Sequence, residues 1–556
     1  ETSTVKSAGT PRCVASSGPN RTSPIDVHAP TPSVVARKDS DALMSGTTQQ
    51  TWAIGPGAVC VTGPTLGLRR AADEPLGHDG ATPRRPTHLG GTRMQSSQTG
   101  PVTAEELRTL LEELTTAYDV PGATLAVLSP EGLLTTATGV TNLGTGVPVT
   151  PDTLFQMGSI TKLYTTSAVC RLVERGLLDL DEPVRRHLPD LRLGDEDAAR
   201  RVTLRHLLTH TSGIDGDHFL DTGRGDDALA AYVASCADLP QQFPVGSSHS
   251  YCNAGFSIAG RVLEVVTGRV WDTVVREEVL APLGLDRTWS LPEDVLRFSA
   301  ACGHLGAPGS LSVTPQWGMP RSLGPSGLLN ATASDVVAFA RAFLDGGRAP
   351  DGTVWLREQT VRDMLAPLVD VPDPHTLGPH WALGWIVHHQ QDGRRVLGHD
   401  GSTLGQGAVL RVVPDRGVAI ALMANGGGIS DLARSLVRRL LPRVADVELP
   451  AALEPVAGAD GGDRSAQVGR YERAAVTEVV APRGDGGLTV TLTNTSALAS
   501  VVAPDQVVIE LHPVAPDLYV GRPPGAHAWA SFVFYDGPDG RRFLHHGARA
   551  IARVED

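Results

Sequence analysis

An amphipathic helix followed by two strands begins near residue 103, and the same elements recur in reverse order near residue 410. Thr103 and Glu106 have the spacing of a capping box, and leucines at helical spacing follow them. Each pair of strands flanks a turn that contains Pro and Gly, and the elements cover residues 107–118, 123–128, 133–138, 408–413, 418–424 and 430–441. This pattern predicts an antiparallel sheet that uses both ends of the region and is flanked by helices.

The chain of 556 residues is too long for one compact core, so we expect it to divide. Residues 1–100 are rich in Ser, Thr, Pro, Gly and Arg and have no hydrophobic period, which predicts a disordered or non-native segment. Residues 101–445 form the larger predicted domain, which carries the candidate site. Residues 446–469 have the composition of a linker, and residues 470–556 contain short strands typical of a small β-barrel or sandwich.

Composition argues against several classes of partner. The net charge is -13, and no Lys/Arg block stands among aromatic residues, so nucleic acid is not an expected partner. No apolar run reaches the roughly 18 residues of a membrane-spanning helix, and no basic stretch precedes an apolar segment at the N-terminus. Six irregularly spaced cysteines are expected to be reduced thiols. These features predict a cytoplasmic protein without a membrane partner.

The candidate nucleophile is Ser159, which stands where a helix is predicted to begin. Lys162 follows three residues later on the same helical face, so its amine can take the hydroxyl proton as the oxygen attacks a carbonyl. Backbone N–H groups at the start of a helix also favour negative charge nearby. The structural alternative is a capped helix with a solvated lysine, because a lone Ser-x-x-Lys also occurs by chance.

The distribution of lysine argues against that alternative. Lysine occurs only at positions 6, 38 and 162, and the other basic side chains among the 48 Lys and Arg residues are arginines. Arginine cannot release its proton in a protein, whereas a desolvated lysine can. Lowering a lysine pKa from about 10.4 to about 7.5 costs roughly 4 kcal/mol, which a buried site can supply. We therefore interpret Lys162 as the base.

A second segment contributes Tyr251 and Asn253, the Tyr-x-Asn pair of Ser-Tyr-Cys-Asn-Ala-Gly. A phenol can relay the proton with help from the lysine, and a carboxamide can hold both the lysine and a substrate amide carbonyl. Taken alone, this pair of residues is a weak signal. Its value lies in following Ser159 and Lys162 in the chain.

A third segment, Gly-His-Asp-Gly-Ser, contains His399, Gly401 and Ser402 and leads toward a predicted strand. The glycine allows a substrate backbone to lie against a strand edge, and the N–H of Ser402 can join that of Ser159 as an oxyanion hole. No His-Glu-x-x-His motif or Cys/His cluster accompanies His399, so we expect neither a metal nor another cofactor.

In their order and separations, the three segments resemble the Ser-x-x-Lys, Tyr-x-Asn and Lys-Thr-Gly elements of class C β-lactamases, D-alanyl-D-alanine carboxypeptidases and family VIII carboxylesterases. Leu-Leu-Thr-His-Thr-Ser-Gly at 207–213 and Pro-Ser-Gly-Leu at 325–328 are further landmarks of that family. The resemblance spans residues 105 to 445. It implies an α+β, β-lactamase/transpeptidase-like fold with a helical subdomain, and acyl transfer through a serine ester.

His399 departs from this family, because β-lactamases and carboxypeptidases usually carry lysine at that position. Histidine there is similar to D-aminopeptidases, some esterases and the penicillin-binding-protein-type thioesterases that cyclise nonribosomal peptides. The resemblance therefore implies a Ser159 acyl-enzyme formed from an ester or a D-amino-acid amide or peptide. Peptide cyclisation and the turnover or sensing of β-lactams are the alternatives.

The C-terminal β-domain resembles the lipocalin-like barrels of several members of this group, and it is expected to wall one side of the cleft. For Arg549 and Arg553 within it, solvation at the surface is the expected state. His210 is expected to fix its loop by hydrogen bonds. Core packing is the expected role of most of four tryptophans, with lining of the cleft as the alternative: Trp317, Trp355, Trp381 and Trp385.

Overall fold

The computed structural model describes residues 101–391, 393–484, 487–494 and 506–555, so the predicted disorder of residues 1–100 lies outside the described residues. The helices are α1 (Ala104–Ala117), α2 (Thr161–Glu174), α3 (Glu196–Arg201), α4 (Leu204–Leu208), α5 (Ala228–Ser235), α6 (Asn253–Thr267), α7 (Trp271–Val275), α8 (Pro292–Val295), α9 (Gly324–Gly327), α10 (Ala333–Leu344), α11 (Glu358–Leu365), α12 (Ile429–Ala445) and α13 (Arg464–Gln467). The longer helices carry an apolar face, and the predicted capping box of Thr103 and Glu106 begins α1.

The strands before the C-terminal region are β1 (Gly122–Ser129), β2 (Gly132–Gly139), β3 (Phe155–Gln156), β4 (His304–Leu305), β5 (Ser312–Val313), β6 (Asn330–Ala331), β7 (Val369–Asp370), β8 (His380–Trp381), β9 (Ile386–Gln391), β10 (Arg394–Thr403), β11 (Gln406–Val413) and β12 (Val418–Ala424). Eight of them form one sheet in the order β2-β1-β12-β11-β10-β9-β8-β7. Its neighbouring strands are antiparallel, and Leu422 of β12 lies opposite Leu125 of β1 and Val409 of β11. The prediction that both ends of the region join in one sheet is confirmed.

The large sheet is covered by helices on both faces, which explains why β12 is buried along its whole length. Ile420 and Leu422 pack with the leucines of α1 and α12, while Ala421 and Met423 belong to the core shared with α2, α6 and α10. Truncating one such leucine to alanine costs about 2–5 kcal/mol. The packing on both faces fixes β10, which carries His399, relative to α2, which carries Lys162.

A closed eight-stranded barrel follows, in which consecutive strands are neighbours and the last pairs with the first. Its strands are β13 (Gly469–Arg473), β14 (Val476–Pro482), β15 (Leu488–Asn494), β16 (Gln506–Ala515), β17 (Leu518–Gly521), β18 (Ala530–Asp536), β19 (Arg542–His546) and β20 (Arg549–Val554). Side chains such as Tyr471, Phe532 and Phe534 fill the barrel as a core. The predicted α+β fold with a C-terminal barrel is confirmed, while the predicted domain limits stay a prediction.

Each helix within the described ranges is too short or too polar to cross a bilayer. The cysteines in the same ranges, Cys170, Cys236, Cys252 and Cys302, carry free thiols.

Candidate active site

Ser159 lies in a short helical turn, Gly158–Ile160, that leads directly into α2. Strand β10 runs against this turn so closely that two glycines are required. A Cβ at Gly158, where φ is +51°, would lie 2.6 Å from the backbone nitrogen of Ser402, and a Cβ at Gly401 would lie 1.9 Å from the Met157 carbonyl oxygen. A Cβ at Gly401 would also lie 3.0 Å from the Ser159 nitrogen, so the backbone nitrogens of Ser159 and Ser402 both lie at this close approach.

Lys162 is completely buried in the first turn of α2. Its Nζ lies 3.1 Å from Ser159 Oγ, 2.8 Å from Asn253 Oδ1 and 2.7 Å from the backbone oxygen of Ser326. Burial, reinforced by the positive charge of Arg549, lowers the pKa of Lys162 well below its ordinary value, and Asp217 opposes this only in part. The amine therefore loses its proton far more readily than a solvated lysine.

The partners of Lys162 determine where its lone pair points. An uncharged amine has two N–H donors and one acceptor lone pair, whereas the Asn253 Oδ1 and Ser326 carbonyl oxygens only accept. In the uncharged form these two oxygens take both N–H groups at 2.8 and 2.7 Å, which leaves the lone pair for the hydroxyl of Ser159 at 3.1 Å. The arrangement can remove the Ser159 proton as Oγ attacks a carbonyl.

Tyr251 lies beside the amine, with its ring centroid 4.8 Å from Lys162 Nζ and 4.8 Å from the Arg549 guanidinium carbon. Burial raises the pKa of Tyr251, and the nearby Ser159 and Arg549 offset only part of that effect. A neutral phenol can donate a proton but is a poor base, so of these two groups Lys162 is the better suited to take up a proton.

His210 fixes the position of Tyr251. Its ring stacks on the phenol ring at 4.2 Å, and its Nδ1 accepts a hydrogen bond from the backbone N–H of Cys252 at 2.9 Å. His210 also has a positive φ of 58°, which suits the sharp loop in which it lies. These contacts orient the segment that carries Tyr251.

His399 is buried on β10, with its Nδ1 2.6 Å from the backbone oxygen of Asp400. A carbonyl oxygen only accepts, so Nδ1 carries the proton and Nε2 is an acceptor. Burial, with Lys162 nearby, lowers the pKa of His399 to about 3, which keeps the imidazole neutral. Nε2 is buried and has no partner within the described residues, so it is available to a hydrogen-bond donor on a substrate.

The barrel supplies Arg549 to the site, whereas from the sequence this side chain was expected to be solvated. Arg549 of β20 is only 4% exposed, and it donates two hydrogen bonds to Asp217, from Nη2 at 2.9 Å and Nε at 3.0 Å. The expectation that Arg549 is solvated at the surface is therefore wrong, because an ion pair across the interface holds it beside Tyr251. Arg553 is exposed, as expected.

The backbone of the barrel also contacts the Tyr251 segment. The carbonyl of Ala548 accepts from the N–H of Tyr251 at 2.9 Å, and the N–H of Ala550 donates to Ser250 Oγ at 3.1 Å. The turn between β19 and β20 thus forms one wall beside the phenol. Since Ala548 has a positive φ of 67°, this turn is tight.

The structure brings the predicted site residues together: Ser159, Lys162, Tyr251, Asn253, His399, Gly401 and Ser402. Sequence reasoning missed Asp217 and the carbonyl of Ser326 as parts of this arrangement. Ser326 belongs to a segment that the resemblance singled out, but Asp217 lies in a loop with no motif. Within the described ranges, no group of three or more His, Cys, Asp or Glu side chains could hold a metal ion.

A family model described as Beta-lactamase matches residues 107–441, more than half of the chain, and the chain belongs to this family. Penicillin-binding protein 4 of Amycolatopsis lactamdurans is 44% identical over 367 residues, which cover 65% of this chain and 96% of that protein. D-aminopeptidase of Brucella anthropi is 27% identical over 335 residues, covering 58% of this chain and 59% of that protein. The protein is a serine hydrolase of the β-lactamase-related type.

The fold is similar to the crystal structure of SurE, which has a TM-score of 0.64 and 31% sequence identity. That similarity covers 81% of this chain and 99% of SurE. A second SurE structure, with D-Leu, has a TM-score of 0.61.

Proposed function

We propose that this hydrolase forms an ester between Ser159 and the acyl group of an ester or a D-amino-acid amide. The observation that carries this proposal is the buried amine of Lys162, whose pKa burial lowers well below its ordinary value and whose Nζ lies 2.8 and 2.7 Å from two acceptor oxygens and 3.1 Å from Ser159 Oγ. A lysine with a purely structural or ionic role would have no need of an uncharged amine.

In the proposed first step, Ser159 Oγ attacks the donor carbonyl carbon and its proton passes to Lys162. The backbone N–H groups of Ser159 and Ser402 stabilise the oxyanion. The bond to the leaving group then breaks as Tyr251 gives that group its proton, and Lys162 returns a proton to the Tyr251 oxygen. Water attacks the resulting ester by the same relay, which releases the acid and restores the Ser159 hydroxyl.

His399 supports a donor that lacks a carboxylate beside the scissile bond. In the resembling β-lactamases and carboxypeptidases, a lysine at this position attracts the substrate carboxylate, whereas the His399 imidazole is neutral and offers a buried acceptor at Nε2. An acceptor favours a substrate N–H or ammonium group and disfavours an anion. Arg549 does not replace that lysine, because its guanidinium donates two hydrogen bonds to Asp217.

A D-amino-acid donor is further supported by two similar proteins. One is the D-aminopeptidase of Brucella anthropi, and the other is SurE, which was solved with D-Leu. An α-amino or amide N–H of such a donor is the kind of group that His399 Nε2 would accept.

A second candidate is transfer of the acyl group to an amine of the same peptide, with release of a cyclic product. The observation that favours it is the barrel turn beside Tyr251, where the Ala548 carbonyl accepts from the Tyr251 N–H. A wall at this place reduces the access of water to the ester and gives an amine the advantage. Both candidates share the Ser159 ester and differ only in the acceptor.

Intact-mass spectrometry tests the proposal with four donors: p-nitrophenyl butyrate, a D-amino-acid amide, a peptidyl thioester and benzylpenicillin. We expect an adduct of the acyl mass at Ser159 with the first two, located by peptide mapping, and its decay to the free acid. A cyclic product from the thioester would establish the second candidate instead. Failure of every donor to acylate Ser159 would overturn the proposal, and a fast benzylpenicillin turnover would overturn the substrate argument from His399.

A further inference from the structure

Asp217 lies at the contact between the catalytic side chains and the barrel. Its side chain is 7% exposed and accepts hydrogen bonds from three different residues. Asn253 Nδ2 donates to it at 3.0 Å, Arg473 Nη1 of β13 at 2.8 Å and Arg549 Nη2 of β20 at 2.9 Å. Burial alone would raise the pKa of Asp217, but Arg549 and Arg473 outweigh it, so the carboxyl group is ionised.

The ionised carboxylate determines which way the Asn253 amide faces. The two ends of an amide are nearly equal in shape, and their assignment follows from hydrogen-bond partners. A carboxylate only accepts, so Asn253 must present its NH₂ group to Asp217, which leaves Oδ1 facing Lys162 at 2.8 Å. Rotated by half a turn, the amide would offer N–H to the lysine and compete with Ser159 for its lone pair.

We propose that Asp217 is a positioning residue that fixes the Asn253 amide, and so directs the lone pair of Lys162 at Ser159, and that Arg473 and Arg549 of the barrel hold it in place. This inference rests on the proposed acyl transfer through Ser159. The barrel then contributes to the function of Lys162 as a base, because the Asp217 carboxylate that orients Asn253 is paired with two arginines of the barrel.

The charged groups around Lys162 allow a test by pH dependence. Lys162 is faced by Arg549, Asp217, Cys252, Tyr251, His210 and His399. Burial raises the pKa of Cys252 to about 12 and also raises the pKa of Tyr251. Burial lowers the pKa of His210, and burial together with the nearby Lys162 lowers the pKa of His399 to about 3. None of these four groups titrates near neutral pH. The rise of acylation rate with pH on the acid side therefore reports the loss of the proton from Lys162.

The variant that tests the proposal is Asp217→Asn, measured as kcat/KM for p-nitrophenyl butyrate between pH 5 and pH 10. We expect a loss of about 10²-fold, mainly in kcat, as a misoriented group produces without a change in the chemistry itself. The acid limb, which is the part of the pH profile where kcat/KM rises with pH, should move to lower pH. The reason is that the negative charge of Asp217, which favours the ammonium form of Lys162, is removed while Arg549 remains. Arg549→Gln should move the limb to higher pH, because it removes a positive charge.

The matched control is Asp373→Asn. Asp373 is a fully buried carboxylate that also joins the barrel, where Ser531 Oγ of β18 donates to it at 2.8 Å, but it contacts neither Asn253 nor Lys162. We expect this variant to lower the thermal unfolding midpoint and leave the limb in place. In Arg549→Gln the glutamine amide still offers an N–H donor to Asp217. This variant therefore tests the shift of the acid limb if Asp217→Asn does not fold.

Each outcome decides the question. The proposal is supported if the acid limb moves in opposite directions in Asp217→Asn and Arg549→Gln and stays in place in Asp373→Asn. If Asp217→Asn is unfolded, an upward shift of the limb in Arg549→Gln supports it. The proposal is overturned if the wild-type protein is acylated and the Asp217 or Arg549 variants have the same kcat/KM and the same acid limb as the Asp373→Asn control. The Ser159 ester would then still stand. A wild-type protein that no donor acylates overturns the proposed function and this inference with it.

Discussion

Replacing Lys162 by methionine should lower kcat/KM for acylation by about 10⁴-fold, the upper range for loss of a general base. Methionine has a similar length and no proton to exchange, and it suits a side chain that is already completely buried. Ser159→Ala should remove the acyl adduct altogether. The measurement is the rate of adduct formation, followed by intact mass after rapid mixing.

The control for the serine variant is Ser167→Ala in α2, the helix that follows the turn with Ser159. Ser167 is buried and donates to the Leu163 carbonyl at 2.8 Å, but it takes no part in the contacts of Lys162. It should acylate at the wild-type rate, and all three variants should unfold cooperatively. A Lys162→Met variant that keeps more than about 10% of the wild-type rate would contradict the role of the amine.

Gly401→Ala should lower kcat by about 10² to 10³-fold, the usual loss when an oxyanion donor is displaced. The added Cβ would lie 1.9 Å from the Met157 carbonyl oxygen and 3.0 Å from the Ser159 nitrogen. Both are backbone atoms that cannot rotate away, so β10 and the serine turn must separate. The distance between the N–H groups of Ser159 and Ser402 then changes, which steady-state kinetics with p-nitrophenyl butyrate would detect.

Gly393→Ala is the matched change, because it precedes the same strand and its added Cβ would meet nothing within 4 Å. Its φ of +80° makes alanine unfavourable there by roughly 1–2 kcal/mol, so stability should fall while activity is kept. Equal losses of kcat in the two variants would mean that strain in the hairpin, and not the close approach at Gly401, explains the effect.

The local signals of the sequence predicted the local structure well. The capping box at Thr103 begins α1, and the two hairpins lie where turn residues separate apolar runs. Ser159 and Lys162 could be paired because three residues along a helix fix their relation. Tyr251, Asn253 and His399 were joined to them only through the resemblance to a family, since no spacing rule relates segments about 90 and 240 residues further on.

The contacts between the barrel and the site could not be predicted, for a physical reason. Arg549 and Asp217 are 332 positions apart in the chain, and their ion pair depends on how two folded units dock. An arginine on a strand is most often solvated, and only the carboxylate opposite it makes burial favourable. The direction of the Lys162 lone pair likewise needed three partners from separate elements, two of which, Asn253 and Ser326, follow it by 91 and 164 positions.

The role of Lys162 as the base depends on its charge state, and the pH dependence of Ser159 acylation measures that charge state. The amine can accept a proton only when uncharged, so kcat/KM should rise with pH through a pKa well below the ordinary lysine value of 10.5 and reach its plateau before that pH. A rate that is still rising at about pH 10, where an ordinary solvated lysine loses its proton, would contradict the account.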